Sequence, residues 1–242
     1  MIEDAWYNAP KRTYEDRKTI EVGNLIEFGR YPQDVVDGKF IEKPIECICL
    51  DRDEKSALLI SRYVLDCIDW QNYCDGKFLN INWDNSVCRD WLNNYFINKA
   101  FNDEERKLIV TSHNTNMPNP DYDTPGCSPT DDKVFLLSIL EVEACFRLNM
   151  PRAAKATQYA QHYDMNISYR NGIIAMNDDI TGYATWQLRS NGHNKQSLAL
   201  VAGRDFDDFG DVIEGSGGEL WTGGDYPNDG DGIRPAWRIR LI

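Results

Sequence analysis

Apolar positions along the chain alternate between strand-like and helix-like spacing, which divides it into recognisable stretches. Residues 25–28 predict a short strand that runs into the turn signals of 29-GRYPQD-34. Residues 45–50 (IECICL) alternate, residues 57–64 (ALLISRYV) form an apolar run, and the charged 51-DRDEK-55 between them predicts a β-hairpin. Helical spacing follows at Val87, Trp91, Leu92, Tyr95 and Phe96, with Asn85 or Ser86 placed to cap it. Asn102 with Glu105, and Ser138 with Glu141, each have the spacing of a capping box. A further helix is predicted over 152–161 (RAAKATQYAQ), which is rich in good helix formers.

Residues 111–131 are dense in Asn, Pro, Asp, Thr and Ser and predict a long loop or inserted arm without its own core. Between Val201 and Gly232, nine glycines and seven aspartates make up half of the stretch, so the predicted strands at 185–190, 197–202 and 211–214 are separated by loops. The chain closes on a half-buried strand, 233–242. There Trp237, Ile239 and Leu241 share one face, Arg238 and Arg240 the other, and Pro235 suits an edge or a strand start. Residues 1–23 have no apolar period and read as a polar extension. Nothing splits residues 24–242 into two cores, so a single α+β domain is expected there.

Charge and composition narrow the function classes. Thirty-nine acidic against twenty-six basic side chains leave −13, a field that repels phosphate backbones. No nucleic acid is expected as a partner. Membrane insertion is not expected either, because the longest apolar runs, such as 134-VFLLSIL-140, fall far short of the ~18–20 residues of a span. Seven cysteines (47, 49, 67, 74, 88, 127 and 145) without a CxxC pair, and an N-terminus without an apolar signal region, give the expectation of reduced thiols in a cytoplasmic protein.

The ordered blocks 28-FGRYPQ-33, 44-PIECICLD-51, 57-ALLISRYVLDC-67, 88-CRDWLNNYFINKAFNDEERKLI-109, 132-DKVFLLSILEVEACF-146, 186-WQLRS-190 and 232-GIRPAWRI-239 resemble a bacterial and phage domain family of unknown function, over roughly residues 24–242. The LRS and GxRPA blocks around a glycine-rich loop region are in turn distantly similar to the C-type-lectin-like fold of formylglycine-generating enzymes. Variable proteins diversified by retroelements share that fold. The resemblance implies a small twisted antiparallel sheet, several short helices and a loop-rich C-terminal face that carries ligand contacts. Fold-level likeness says little about the ligand itself.

Chemistry in this sequence is sparse. Formylglycine-type oxidation holds copper through thiolates near the end of the fold, whereas the last cysteine here is Cys145. His113, His162 and His193 are scattered without i,i+3 or i,i+4 pairing, and there is no G-x-S-x-G elbow. No catalytic residue is assigned and no enzyme or cofactor is expected. Asp225, Asn228, Asp229 and Asp231 are hard oxygen donors for calcium, but an EF-hand alignment puts Pro227 first and Arg238 twelfth, and a solvated acidic turn fits equally.

The candidate ligand-binding residues are Trp186, Asn191, His193 and Asn194 on one loop, Asp207 on the next, and Trp221, Asp225, Tyr226 and Asn228 on the last. Aromatic, Asn and Asp side chains are the vocabulary of binding loops, and ordinary loop chemistry is the alternative. Arg189 and Arg234 are expected to be structural, tying strands together, with anion binding as the alternative. These observations lead to a non-catalytic module that recognises a protein or glycan. An enzyme with a changed site on the formylglycine-generating scaffold is the alternative. A third reading is a phage-particle component assembled as a closed homo-oligomer.

Overall fold

The computed structural model describes residues 11–68, 82–146, 152–167, 183–203, 218–225 and 232–242, with the backbone alone for 11, 163–167, 224 and 225. It is a mixed α/β chain, mostly strand, with a few short helices. The expected single small sheet is, among the described residues, a seven-stranded sheet, a five-stranded sheet and a two-stranded ribbon.

The seven-stranded sheet is built around a long hairpin. Strand β2 (Leu25–Val36) turns through Asp37 and Gly38, with φ of 49° and 72°, into β3 (Lys39–Arg52). Positive φ at both residues is the type I′ geometry that matches strand twist, and Asp-Gly is its usual sequence. The turn signals at 29–34 therefore mark irregularities inside β2 and do not end it. Register shifts fall between Glu27 and Arg30 and between Pro32 and Asp34, and Gly29 has φ 80°. The predicted second hairpin forms as β3 with β4 (Ser56–Ser61).

Residues 11–23, expected to belong to an extension, are built into the fold. Strand β1 (Lys11–Thr13) pairs in parallel with β2, Tyr14 meets Phe28 edge-on, and Ile20 is fully buried. The sheet order is β1-β2-β3-β4-β14-β6, with β9 (Val134–Phe135) also paired to β14 (Ala236–Arg240) and β6 formed by Ile109–Val110. The closing strand thus lies inside the sheet. Pro235 marks its start, where the missing N–H costs nothing.

A helical run covers one face of this sheet. It consists of α1 (Val87–Trp91), a π segment (Leu92–Phe96) and α2 (Ile97–Ala100). Ser86 caps α1 by accepting the Arg89 N–H. Phe96 packs on Tyr31, and Phe101 wedges between Phe28 and Trp237. Both predicted capping boxes are present, opening α3 (Asp103–Leu108) and α4 (Ile139–Cys145). Glu105 of the first also accepts the Gly29 N–H at 3.1 Å, pinning α3 to the irregular strand. The helix expected at 152–161 begins later, as α5 (Gln158–Ile167). Residues 154 and 156 are extended instead, bridging Ala184 and Val64, and Thr157 Oγ1 caps α5 by accepting the Ala160 N–H. Helix propensity there yields to backbone pairing with neighbours.

The five-stranded sheet has the order β12-β11-β10-β13-β5, from β5 (Asp66–Cys67), β10 (Trp186–Asn191), β11 (Leu198–Val201), β12 (Leu220–Asp225) and β13 (Gly232–Ile233). Two adjacent antiparallel segments connect the sheets. One runs from β4 into β5, the other from β13 into β14. Ser61 N–H donates to Pro235 O at 3.0 Å and Leu65 N–H to Ile233 O at 3.0 Å.

At that crossing Arg234 is fully buried. Its Nε donates to Ser61 O (2.8 Å) and its Nη1 to Arg152 O (3.0 Å), while its guanidinium carbon lies 4.9 Å from the Trp186 ring centroid. Charge-assisted bonds in a dry interior are strong, and the planar fork reaches two carbonyls that a lysine cannot reach together. Replacing Arg234 by Met is expected to lower unfolding free energy by about 3 kcal/mol, and Arg234→Lys by more than half of that. Urea titration of the three proteins checks both.

Candidate functional site

The arm at 111–131 is closed at its base by the ribbon of β7 (Ser112–Asn114) and β8 (Thr130–Asp132). The base rests on Asp132, buried to 1% exposure. Its carboxylate accepts from Arg89 Nε (2.6 Å), Thr130 Oγ1 (2.7 Å), Asn114 Nδ2 (2.8 Å) and Trp83 Nε1 (2.9 Å). A buried carboxyl group needs that full set of donors, so the side chain is fixed and the ribbon with it.

Two buried asparagines give the rest of the arm its shape. Asn116 Nδ2 donates to Ser128 O (2.7 Å), and its Oδ1 accepts from Arg189 Nε (3.1 Å). Asn119 reaches out of the arm: Nδ2 lies 2.9 Å from Asn191 O, 3.2 Å from Gly192 O and 2.7 Å from Thr222 O, while Oδ1 accepts the Asp121 N–H. One side chain thereby fastens the arm to the loop after β10 and to β12.

The result is a composite face from three separate segments. The arm contributes exposed Asp121, Tyr122 and Asp123 around an open hollow of about 670 Å³. The loop after β10 contributes His193 and Asn194, and β12 contributes Trp221. The rings of Tyr122 and His193 meet edge to face at 6.4 Å. Tyr122 Oη comes so near Gly223 that a Cβ there would stand 2.9 Å away. His193 Nδ1 is 2.8 Å from Gly223 O and its Nε2 is 2.8 Å from Asn194 Nδ2, while Asn194 Oδ1 accepts the Gln196 N–H. A carbonyl thus stands at Nδ1 and an amide N–H₂ at Nε2, an arrangement that suits a proton on Nδ1.

Of the residues expected to contact ligand, His193 is exposed, and Asn194 and Trp221 are half-buried. Trp186 is not on the face: it is fully buried and donates Nε1–H to Arg152 O, so it is a core residue under the loops. Asn191 is buried too, bracing Asn82 and Pro125 O. Arg189 holds Leu136 O (2.7 Å) and Glu141 Oε2 (2.5 Å) besides Asn116, and Arg234 holds the carbonyls described above. Asp207, Tyr226, Asn228, Asp229, Asp231 and the side chain of Asp225 lie outside the described residues. Among the described residues no group of three His, Cys, Asp or Glu stands close enough to hold a metal ion. No described helix is long and apolar enough to cross a membrane. Asn119 and Tyr122 were not singled out in the sequence. Asn before Pro signals a local turn, and nothing in that pattern announces a bond to a strand a hundred residues away.

Residues 54–241 match the family described as Domain of unknown function (DUF6273). The chain belongs to that family. No curated protein and no solved structure matches it. The DUF6273 match begins in the turn between β3 and β4, so β1, β2 and β3 precede it although β3 is paired along β4.

One titratable group stands out away from the face. Asp66, only 5% exposed, accepts Tyr31 O–H at 2.5 Å and the Cys67 N–H at 2.8 Å. Burial pushes its carboxyl up to about 6 from an ordinary 3.8, against the opposing pull of those two donors, and burial beside Asp66 also raises the Tyr31 hydroxyl. The folded chain then holds the Asp66 proton more tightly than the unfolded one. Its contribution is fully present below about pH 3.8 and is lost as pH rises through about 6. Relative to Asp66→Asn, wild-type stability is expected to fall between pH 4 and 7 by on the order of 3 kcal/mol, read as the difference between urea midpoints.

The arm gives a second expectation. Asn119→Ala removes the bonds to three carbonyls and is expected to cost about 2 kcal/mol, with faster proteolysis at 117–125. Limited digestion and thermal melting check this.

Proposed function

We propose that this chain is a non-catalytic binding module, lectin-like in its organisation, that recognises a protein or glycan through the face made by the arm, the loop after β10 and β12. One observation carries this reading: Tyr122 and His193 stand exposed and side by side on backbone segments that buried Asn119 fastens together. Amphipathic rings that are already held in place lose little conformational entropy on contact, which is what binding energy at a hot spot requires. Asp121, Asp123 and Asn194 supply hydrogen-bonding capacity around the two rings, and β12 adds half-buried Trp221. Loops on a rigid scaffold are the usual seat of recognition.

The candidates at 225–228 continue β12 in sequence, and they belong to the same proposal with Asp207, as does calcium held by Asp225, Asn228, Asp229 and Asp231. The test is a glycan array together with capture from cell-envelope proteins, run with wild type and with Tyr122→Ala/His193→Ala, each with and without a chelator. A ligand bound at least tenfold more weakly by the double variant, whose melting temperature is unchanged, supports the reading. A ligand bound equally by both proteins refutes this face as the binding surface, and loss with chelator alone assigns recognition to calcium.

A further inference from the structure

The long hairpin carries a different hollow. A cleft of about 440 Å³ opens where β2 and β3 meet the segment entering α5, lined by Glu27, Gln33, Asp34, Glu46 and Tyr63 among others. Its volume is within the range that holds small molecules.

Glu27 and Glu46 stand directly opposite each other across the β2–β3 ladder. Like charges in that position repel. Glu46 is relieved by Arg62, whose Nη1 lies 2.6 Å from its Oε2, and Asp34 is likewise paired with Lys43. Glu27 has no hydrogen-bond or ion-pair partner among the described residues. The cleft therefore contains one carboxylate whose countercharge no described residue provides.

Gln33 supplies the second, independent observation. It is only 7% exposed and lies in the register shift between Pro32 and Asp34. Such irregularities re-aim side chains and recur beside functional sites. Its Nε2 donates to Lys43 O (3.0 Å) and Pro44 O (2.9 Å), which fixes the orientation of the amide. Oε1, an acceptor without a partner among the described residues, is left to the cleft that Gln33 lines.

We propose that this cleft binds a small molecule bearing a primary ammonium group, with Glu27 as its countercharge and Gln33 Oε1 as the acceptor that orients it. An alkylammonium offers three N–H donors at one charge, which suits one carboxylate and one neutral carbonyl. The Tyr63 ring, already beneath the Arg62 guanidinium at 5.4 Å, gives the alkyl part an aromatic wall.

The test titrates the full chain with n-butylammonium chloride by calorimetry, with tetramethylammonium (same charge, no N–H) and n-butanol (no charge) as controls. Glu27→Gln keeps the shape and removes both the charge and the cross-strand repulsion, so its ligand-free melting temperature is expected not to fall. Saturable binding by wild type, at least tenfold weaker in Glu27→Gln and in Gln33→Met, and absent for both controls, is the expected result. Equal affinity in a folded Glu27→Gln protein, equal binding of tetramethylammonium, or no saturation by about 20 mM overturns the proposal.

Discussion

The guanidinium of Arg234 sits where two sheets exchange strands. It is fully buried, over the Trp186 ring, and bonded to carbonyls from β4 and from the segment at residue 152. Placing a charge in a dry interior is costly unless donors and acceptors are matched, and here matching requires both sheets to be in place at once. Trp186 donates to the same Arg152 carbonyl, so the start of β10 is set by that arrangement as well. From β10 onward the position of everything on the loop face is inherited: Arg189 ties Asn116 and Glu141, and the residues after Asn191 are held by Asn119. The face proposed for recognition thus depends on a core contact that lies beneath it.

The same logic of satisfied buried polar groups recurs at Asp132 and Asp66, with different outcomes. Asp132 gathers four donors, one of them Arg89, and serves as the anchor of the arm. Asp66 gathers two and no cation, so burial dominates and raises its proton affinity. Glu27 differs from both because the Glu46 opposite it has taken the nearby cation.

Much of this architecture is written locally. Ser86, Asn102 with Glu105, and Ser138 with Glu141 cap helices within three residues of themselves, and the structure uses each as the spacing implies. The hairpin at 51–55 and the alternation of Trp237, Ile239 and Leu241 are equally local, because strand faces repeat every two residues. Reading failed where a local signal had a nonlocal competitor. The turn-like 29-GRYPQD-34 stays in strand β2 because β3 is long enough to pair through its irregularities. The helix-forming 152–157 stays extended because Val64 and Ala184 bridge it.

The sequence by itself determined the α+β class, the caps, the closing strand and the polar-aromatic character of the C-terminal loops, since each depends on residues within a few positions of one another. Only tertiary structure decided which loop residues are available. It buried Trp186 and Asn191, and it joined Tyr122 to His193 across seventy residues of chain through one asparagine. The reason is physical: a side chain's burial and hydrogen-bond partners are properties of what packs around it. Two distant segments become neighbours only when backbone carbonyls such as those of Gly192 and Thr222 find a donor on another part of the fold.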